Sequence, residues 1–238
     1  MKQYLNETPI LDFNAPAIHK LVIEKGWKKL STEEKIKQIY HFVKDDIKFG
    51  YNASDDLTAS EILADGYGQC NTKATLFMAL LRAVDIPCRF HGFTIYKELQ
   101  KGALTPLAYH LAPDEIIHSW VEVYFEDKWI FLEGLILDAE YLTSIQRTVD
   151  DCTTSFCGYG IATENLQDPG VEWTGGNTFI QSKGIAKDFG LFNSPDDFYK
   201  RHGANAKGLK KVLYSYFIRH SINKNVEKVR KAGLPQGR

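Results

Sequence analysis

The sequence predicts an α+β protein in which a buried helix, opening on a cysteine, packs against an antiparallel sheet built around a hairpin. Two stretches carry that prediction. In Cys70–Ala83, Leu76, Leu80 and Ala83 fall at i, i+4 and i+7, Phe77 and Leu81 widen the apolar stripe, and good helix formers run without a breaker. Residues 117–125 are rich in β-branched and aromatic side chains; Glu126-Asp127 follow, then a second such run from Lys128 to Glu133, the pattern of two strands joined by a tight turn. At 238 residues, 44% hydrophobic and 25% charged, the chain has the composition of a soluble globular protein with a full core. One domain is expected over 1–238, with a core at about 31–148, a loop-rich elaboration at 150–199 and a basic C-terminal helix within 200–238.

Taken in order, a short helix is expected at about 15–25, ended by Gly26. Ser31 with Glu34 three residues later forms a capping box opening the next helix, whose buried stripe is Ile36, Ile39, Tyr40 and Val43. Residues 47–51 read as extended and 58–64 as a brief helix leading into Gly66-Tyr67-Gly68, where glycine implies positive φ or a close backbone approach. A strand is expected at 88–95, with Cys88 as a packing residue. Residues 96–114 form a long connection with two prolines, a length usually reserved for function or mobility. A helix follows at 138–148. Residues 150–190, glycine-rich and without periodicity, read as loops folded over the domain and its cleft. Two last helices are expected, at 196–201 and 208–231; the second has an apolar side that includes Leu209, Val212, Leu213, Val226 and Val229.

The bulk properties exclude several classes. No apolar run is long enough to span a membrane, and the N-terminus lacks a signal-like apolar core, so a cytoplasmic protein is expected. Four cysteines (Cys70, Cys88, Cys152, Cys157) make no disulfide framework, and the Cys152/Cys157 spacing is poor for zinc; no metal or cofactor is expected. Residues 200–238 carry eleven Lys/Arg against Glu227 alone, +10, while the rest carries eighteen bases against twenty-nine acids, −11. The near cancellation favours a basic helix docked on its own acidic domain over a nucleic-acid or membrane partner.

The chemistry centres on Cys70. At the start of a helix, free backbone N–H groups and the dipole favour an anion, which exposes the nucleophilic thiolate. A lone cysteine in a cap is ordinarily just a small buried residue. The hairpin alters that reading: a turn at Glu126-Asp127 sets His118 beside Glu133, opposite or diagonal, on one face. Cysteine, histidine and acid in this order suit nucleophilic acyl transfer, in which the imidazole keeps the thiolate ionised and protonates the leaving amine while the acid fixes its tautomer. Gln69 is a candidate oxyanion donor and Trp120 a candidate pocket wall. Lys73, one turn after Cys70, is a candidate to hold the thiolate or simply a solvated lysine.

Gly66-Tyr67-Gly68-Gln69-Cys70, the following Lys73-Ala74…Leu80-Leu81-Arg82-Ala83-x-x-Ile86-Pro87 and the motif His118-x-Trp120-x-Glu122-Val123-Tyr124…Lys128-Trp129 resemble the core of the bacterial transglutaminase-like superfamily over about residues 49–133. The resemblance implies a papain-like fold with a Cys70–His118–acid triad. The family usually places aspartate fifteen residues after the histidine, where this chain has Glu133; Asp138 and Asp114 are the alternatives. It implies a peptide, protein or small amide substrate, with the acyl group passed to water or to an amine. The rival is a non-catalytic scaffold that binds a peptide or an anionic partner.

Overall fold

The computed structural model describes residues 1–149, 155–205 and 212–234. Cys152 and the start of the last expected helix, 208–211, lie outside the described residues. The first helices are α1 (Pro16–Glu24) and α2 (Thr32–His41), the latter opened by the expected Ser31/Glu34 capping box. A strand of two residues, β1 (Lys48–Phe49), precedes α3 (Ala59–Asp65), which is capped in the same way by Thr58 and Glu61. β2 (Tyr67–Gly68) pairs parallel with β1 and delivers the chain to α4 (Cys70–Ala83). The two glycines here meet different needs. Gly66 closes α3 in the left-handed region at φ 69°. At Gly68 a Cβ would sit 2.7 Å from Thr72 Oγ1 and 2.9 Å from Lys73 Cγ, so only glycine lets the chain run this close to the start of α4.

β3 (Cys88–Tyr96) leads through the connection, which contains α5 (Pro106–Leu111), to β4 (Glu115–Phe125) and β5 (Lys128–Leu132). Glu126 and Asp127 both have positive φ, the two-residue turn that matches strand twist. α6 (Ala139–Gln146) follows, then a short hairpin of β6 (Phe156–Gly158) and β7 (Ile161–Thr163), then β8 (Ile185–Phe192), α7 (Pro195–His202) and α8 (Arg219–Ala232). The main sheet is antiparallel, in the order β5-β4-β3-β8.

Two findings differ from the sequence reading. α4 is buried on every side rather than along a stripe, from Cys70 through Arg82, because it lies between β4 and β3 on one side and α2 and α3 on the other. Residues 150–190 are not all loop: β8 is the sheet's edge. Its register against β3 is broken beside Gly92 and Thr94, and only Phe192 is buried, so no alternation marks it as a strand.

The core falls into two clusters. One joins α1 to α4 with the sheet through Ile36, Phe77, Leu80, Phe90, Val121 and Val123. The other joins Phe49 and Cys70 to α6 and α8 through Tyr141, Ile145, Ile222 and Val226. α8 thus docks on its own domain with Ile222, Val226 and Val229 inward and Lys224 and Lys228 outward. Its Arg230 reaches the buried Asp138, and no helix among the described residues is long and apolar enough to cross a membrane.

Candidate active site

Cys70 is the first residue of α4, and its side chain is nearly buried. The first turn of the helix is fixed by its neighbours. The Gln69 N–H donates to Thr72 Oγ1 at 3.0 Å, and Thr72 Oγ1 donates to Asn52 Oδ1 at 2.6 Å. Asn71 spans the gap to β4: its Nδ2 donates to the Ile117 carbonyl at 3.1 Å, and its Oδ1 accepts from Ser119 Oγ at 2.9 Å. Helix and strand are therefore locked together at the point where Cys70 and His118 approach.

His118 is fully buried on β4, paired with Phe93 of β3. The β4–β5 register pairs Val121 with Leu132; one step further it sets Glu133 opposite Trp120 and diagonal to His118. Nε2 of His118 and Oε1 of Glu133 are 2.6 Å apart. The other ring nitrogen, Nδ1, is buried with no hydrogen-bond partner. Burial pushes the imidazole pKa down, but the charge of Cys70, followed by Glu133, outweighs it and raises the pKa to about 10.

The second oxygen of Glu133 has its own partners. Oε2 accepts from the backbone N–H groups of Ile180 (2.8 Å), Gln181 (2.9 Å) and Ser182 (3.1 Å). The segment before them is pinned to β5, since Thr178 and Phe131 share one backbone hydrogen bond and Glu133 and Thr178 another. These three donors explain the glutamate. Its extra methylene carries one oxygen to the imidazole while the other reaches a chain segment 47 to 49 residues downstream. Nothing local in the sequence marked residues 180–182 for this position.

The remaining candidates are placed as follows. Asp138 is not beside His118. It caps α6 through the Tyr141 N–H and also accepts from the Phe49 N–H and from Arg230. Burial alone raises its pKa, but Arg230 and these donors hold it below the ordinary carboxylate value. Asp114 is exposed and paired with Lys97 at 2.7 Å. Lys73 neither holds the thiolate nor meets solvent: it is fully buried, and Nζ donates to the Lys44 and Ile136 carbonyls, both at 3.0 Å. Burial lowers its pKa to about 7 against the opposing pull of Asp138 and Asp45. The Gln69 amide is engaged, Nε2 donating to Asp55 Oδ1 at 3.2 Å and Oε1 accepting from the Asn52 N–H at 2.9 Å. Trp120 sits in an aromatic cluster with Phe93, Phe131 and Phe179, its Nε1 buried without a partner. Cys88 is buried, with burial raising its pKa, and Cys88 and Cys157 are both free.

Cys70 opens on a cavity of about 470 Å³. Its walls are the connection around α5 and the C-terminal helical segment, with Gln181 the sole contribution from residues 155–190; the loops expected to cover the cleft support Glu133 instead.

Residues 22–134 match the family model of the transglutaminase-like superfamily. Among solved structures, the chain is similar to a proposed cysteine protease from Cytophaga hutchinsonii at 14% identity, covering 82% of this chain and 53% of that one, with a TM-score of 0.40. It is also similar to red sea bream transglutaminase at 15% identity, covering 96% of this chain and 41% of that one, with a TM-score of 0.34. The chain therefore spans about half the length of these structures or less. No curated protein matches it.

Proposed function

We propose that the protein is a cysteine-dependent acyl-transfer enzyme acting on an amide or isopeptide bond, with Cys70 as nucleophile, His118 as acid and base, and Glu133 as the residue that orients the imidazole. The observation that carries this reading is a fully buried histidine bonded to a carboxylate through Nε2, with its Nδ1 unpaired and the charge of Cys70, at the head of a helix, raising its pKa. A scaffold that only binds has no use for that arrangement.

The steps follow from it. The Cys70 thiolate adds to the carbonyl carbon, and the oxyanion meets the Cys70 backbone N–H at the start of α4, where the first helical donors lack intrahelical partners. The His118 imidazolium gives its proton to the leaving nitrogen, the C–N bond breaks and a thioester remains. Neutral His118 then takes a proton from water or from an amine as that nucleophile attacks, and the thiolate is released. Hydrolysis is the favoured second half, since water needs no dedicated site and the described residues hold no carboxylate free to orient an amine beside Cys70. Such a thiol must stay reduced, in keeping with the expected cytoplasmic location.

The test is acyl-enzyme formation on activated esters and peptide amides, followed by intact-mass measurement. Cys70→Ala and His118→Ala are both expected to lose at least about 10³-fold in rate. Full turnover in either variant rejects the assignment. Adding a primary amine to the wild type distinguishes the second half: a transamidated product would replace hydrolysis by amine transfer.

A further inference from the structure

We propose that the acyl side of the substrate presents a large uncharged apolar residue of a peptide-like chain to the Cys70 cavity, and that Gln181 receives a backbone N–H of that chain. This rests on Cys70 as the nucleophile and names what is delivered to it.

A cavity of about 470 Å³ falls within the usual range of small-ligand sites, roughly 300–1,000 Å³. Because Cys70 lines it, whatever fills it lies next to the sulfur. The walls are Phe49, Leu104, Ala108, Ile116, Ile218 and Ile222. One lining residue carries a charge, Asp55, and both of its oxygens are already occupied. Oδ1 accepts from Gln69 Nε2 and Asn71 Nδ2, and Oδ2 accepts from the Asn205 N–H and Nδ2, at 3.0 to 3.2 Å. Tyr51 and Tyr214 also line it, and burial keeps both phenols neutral by raising their pKa values. A charged side chain placed here would lose its water and find no counter-ion.

The cavity nonetheless contains one polar group without a partner. Gln181 is 1% exposed; its Nε2 donates to the Gly160 carbonyl at 2.6 Å, while its Oε1 is buried with no donor in the protein. Buried acceptors are nearly always paired, so an open one on the wall of a reactive cavity points to a ligand that brings an N–H. The mouth is apolar as well. Leu111 and Leu213 line the cavity and are 55% and 50% exposed, and the same two helical segments expose Leu107, Tyr216 and Phe217. A chain approaching Cys70 meets apolar contacts before it enters.

The experiment has two arms. In Cys70→Ala protein, binding of N-acetyl amides of Phe, Leu, Gln, Asp and Lys is measured by calorimetry or NMR titration. Phe and Leu are expected to bind at least about tenfold more tightly than the other three. The acetoxy analogue of the Phe ligand, in which an ester oxygen replaces the backbone N–H, should lose most of that affinity in Cys70→Ala but not when Gln181→Met is added. Leu111→Glu and Leu213→Glu, both at exposed positions, should weaken Phe binding without lowering Tm. In the second arm, iodoacetamide labelling of wild type is compared at Cys70 and Cys157. Fast labelling of Cys70 with no apolar preference in binding overturns this inference and leaves the enzyme reading intact. Labelling of Cys70 no faster than Cys157 overturns the enzyme reading, and with it the identity of the bound group as an acyl donor. Equal or better binding of Gln, Asp or Lys overturns the apolar assignment directly.

Discussion

Glu133 divides its two oxygens between two tasks: Oε1 holds the imidazole and Oε2 holds the backbone of residues 180–182. Shortening it must sacrifice one of them. Glu133→Asp is therefore expected to be far from conservative, losing about 10²-fold in kcat with little change in KM, as misplacement of a catalytic group by about 1 Å does. Glu133→Gln keeps the length but removes the charge facing His118. A loss of between about 10² and 10⁴-fold is expected, smaller than for Cys70→Ala. An unimpaired Glu133→Asp would mean that the 180–182 donors are dispensable. The pH dependence follows from His118. Its folded pKa is raised to about 10 from an ordinary value of 6.5, so its contribution to stability is fully present below about pH 6.5 and disappears as pH rises through about 10. The Tm difference between wild type and His118→Ala should accordingly be largest in mildly acid to neutral solution and shrink towards pH 10. Activity that requires the imidazolium should fall along the same alkaline limb. Asp114 and Asp138 stood as alternatives because sequence spacing cannot tell an N-cap carboxylate or a surface ion pair from a catalytic one; their partners can.

At the scale of elements, what the sequence revealed was whatever sequence-local forces decide. The Ser31/Glu34 cap, the helix after Cys70 and the Glu126-Asp127 hairpin each depend on residues within a few positions of one another, and each forms where expected. β8 and the 178–182 segment depend on partners far away in the chain: β8 on β3, and Thr178 on Phe131 and Glu133. Their own sequences carry neither alternation nor caps. The docking of α8 rests on such a distant pair, Arg230 with Asp138 at 2.9 Å, supported by the Phe49 carbonyl at 2.7 Å. Arg230→Met strands a buried carboxylate and is expected to cost about 3 kcal/mol in denaturant unfolding. Arg230 holds the folded Asp138 pKa below its ordinary value, so this stabilisation is present above the ordinary carboxylate range and lost as pH falls. The gap between variant and wild type should close in acid. A gap unchanged at low pH would mean that the arginine acts through packing alone.

For the whole molecule, charge and periodicity act at the same contact, where α8 meets the body through Arg230 with Asp138 and through the inward Ile222, Val226 and Val229. An acidic body and a basic C-terminal tail that nearly cancel became one unit, with Arg219 reaching the Tyr67 hydroxyl and Arg230 reaching Asp138 across the molecule. The three side chains proposed here as nucleophile, base and acid could be named from the sequence because chemistry restricts which residues can serve. The cavity was not legible, since its walls come from residues 49–71, from the connection around α5 and from the C-terminal helical segment, and no single segment looks like a pocket. The segment that matches the family model, 22–134, therefore holds Cys70, His118 and Glu133 without holding the 180–182 donors to Glu133. That separation has a consequence for how the protein is made. A nascent chain translated only through Glu133 already carries Cys70 and His118, but residues 180–182 do not yet exist to seat the carboxylate. Ribosome-stalled chains that expose residue 149 but not residue 180 beyond the exit tunnel should therefore alkylate at Cys70 like an ordinary thiol, whereas chains that expose residue 234 should react quickly at pH 6. On this reading the enzyme is born latent, and the last third of its translation arms it.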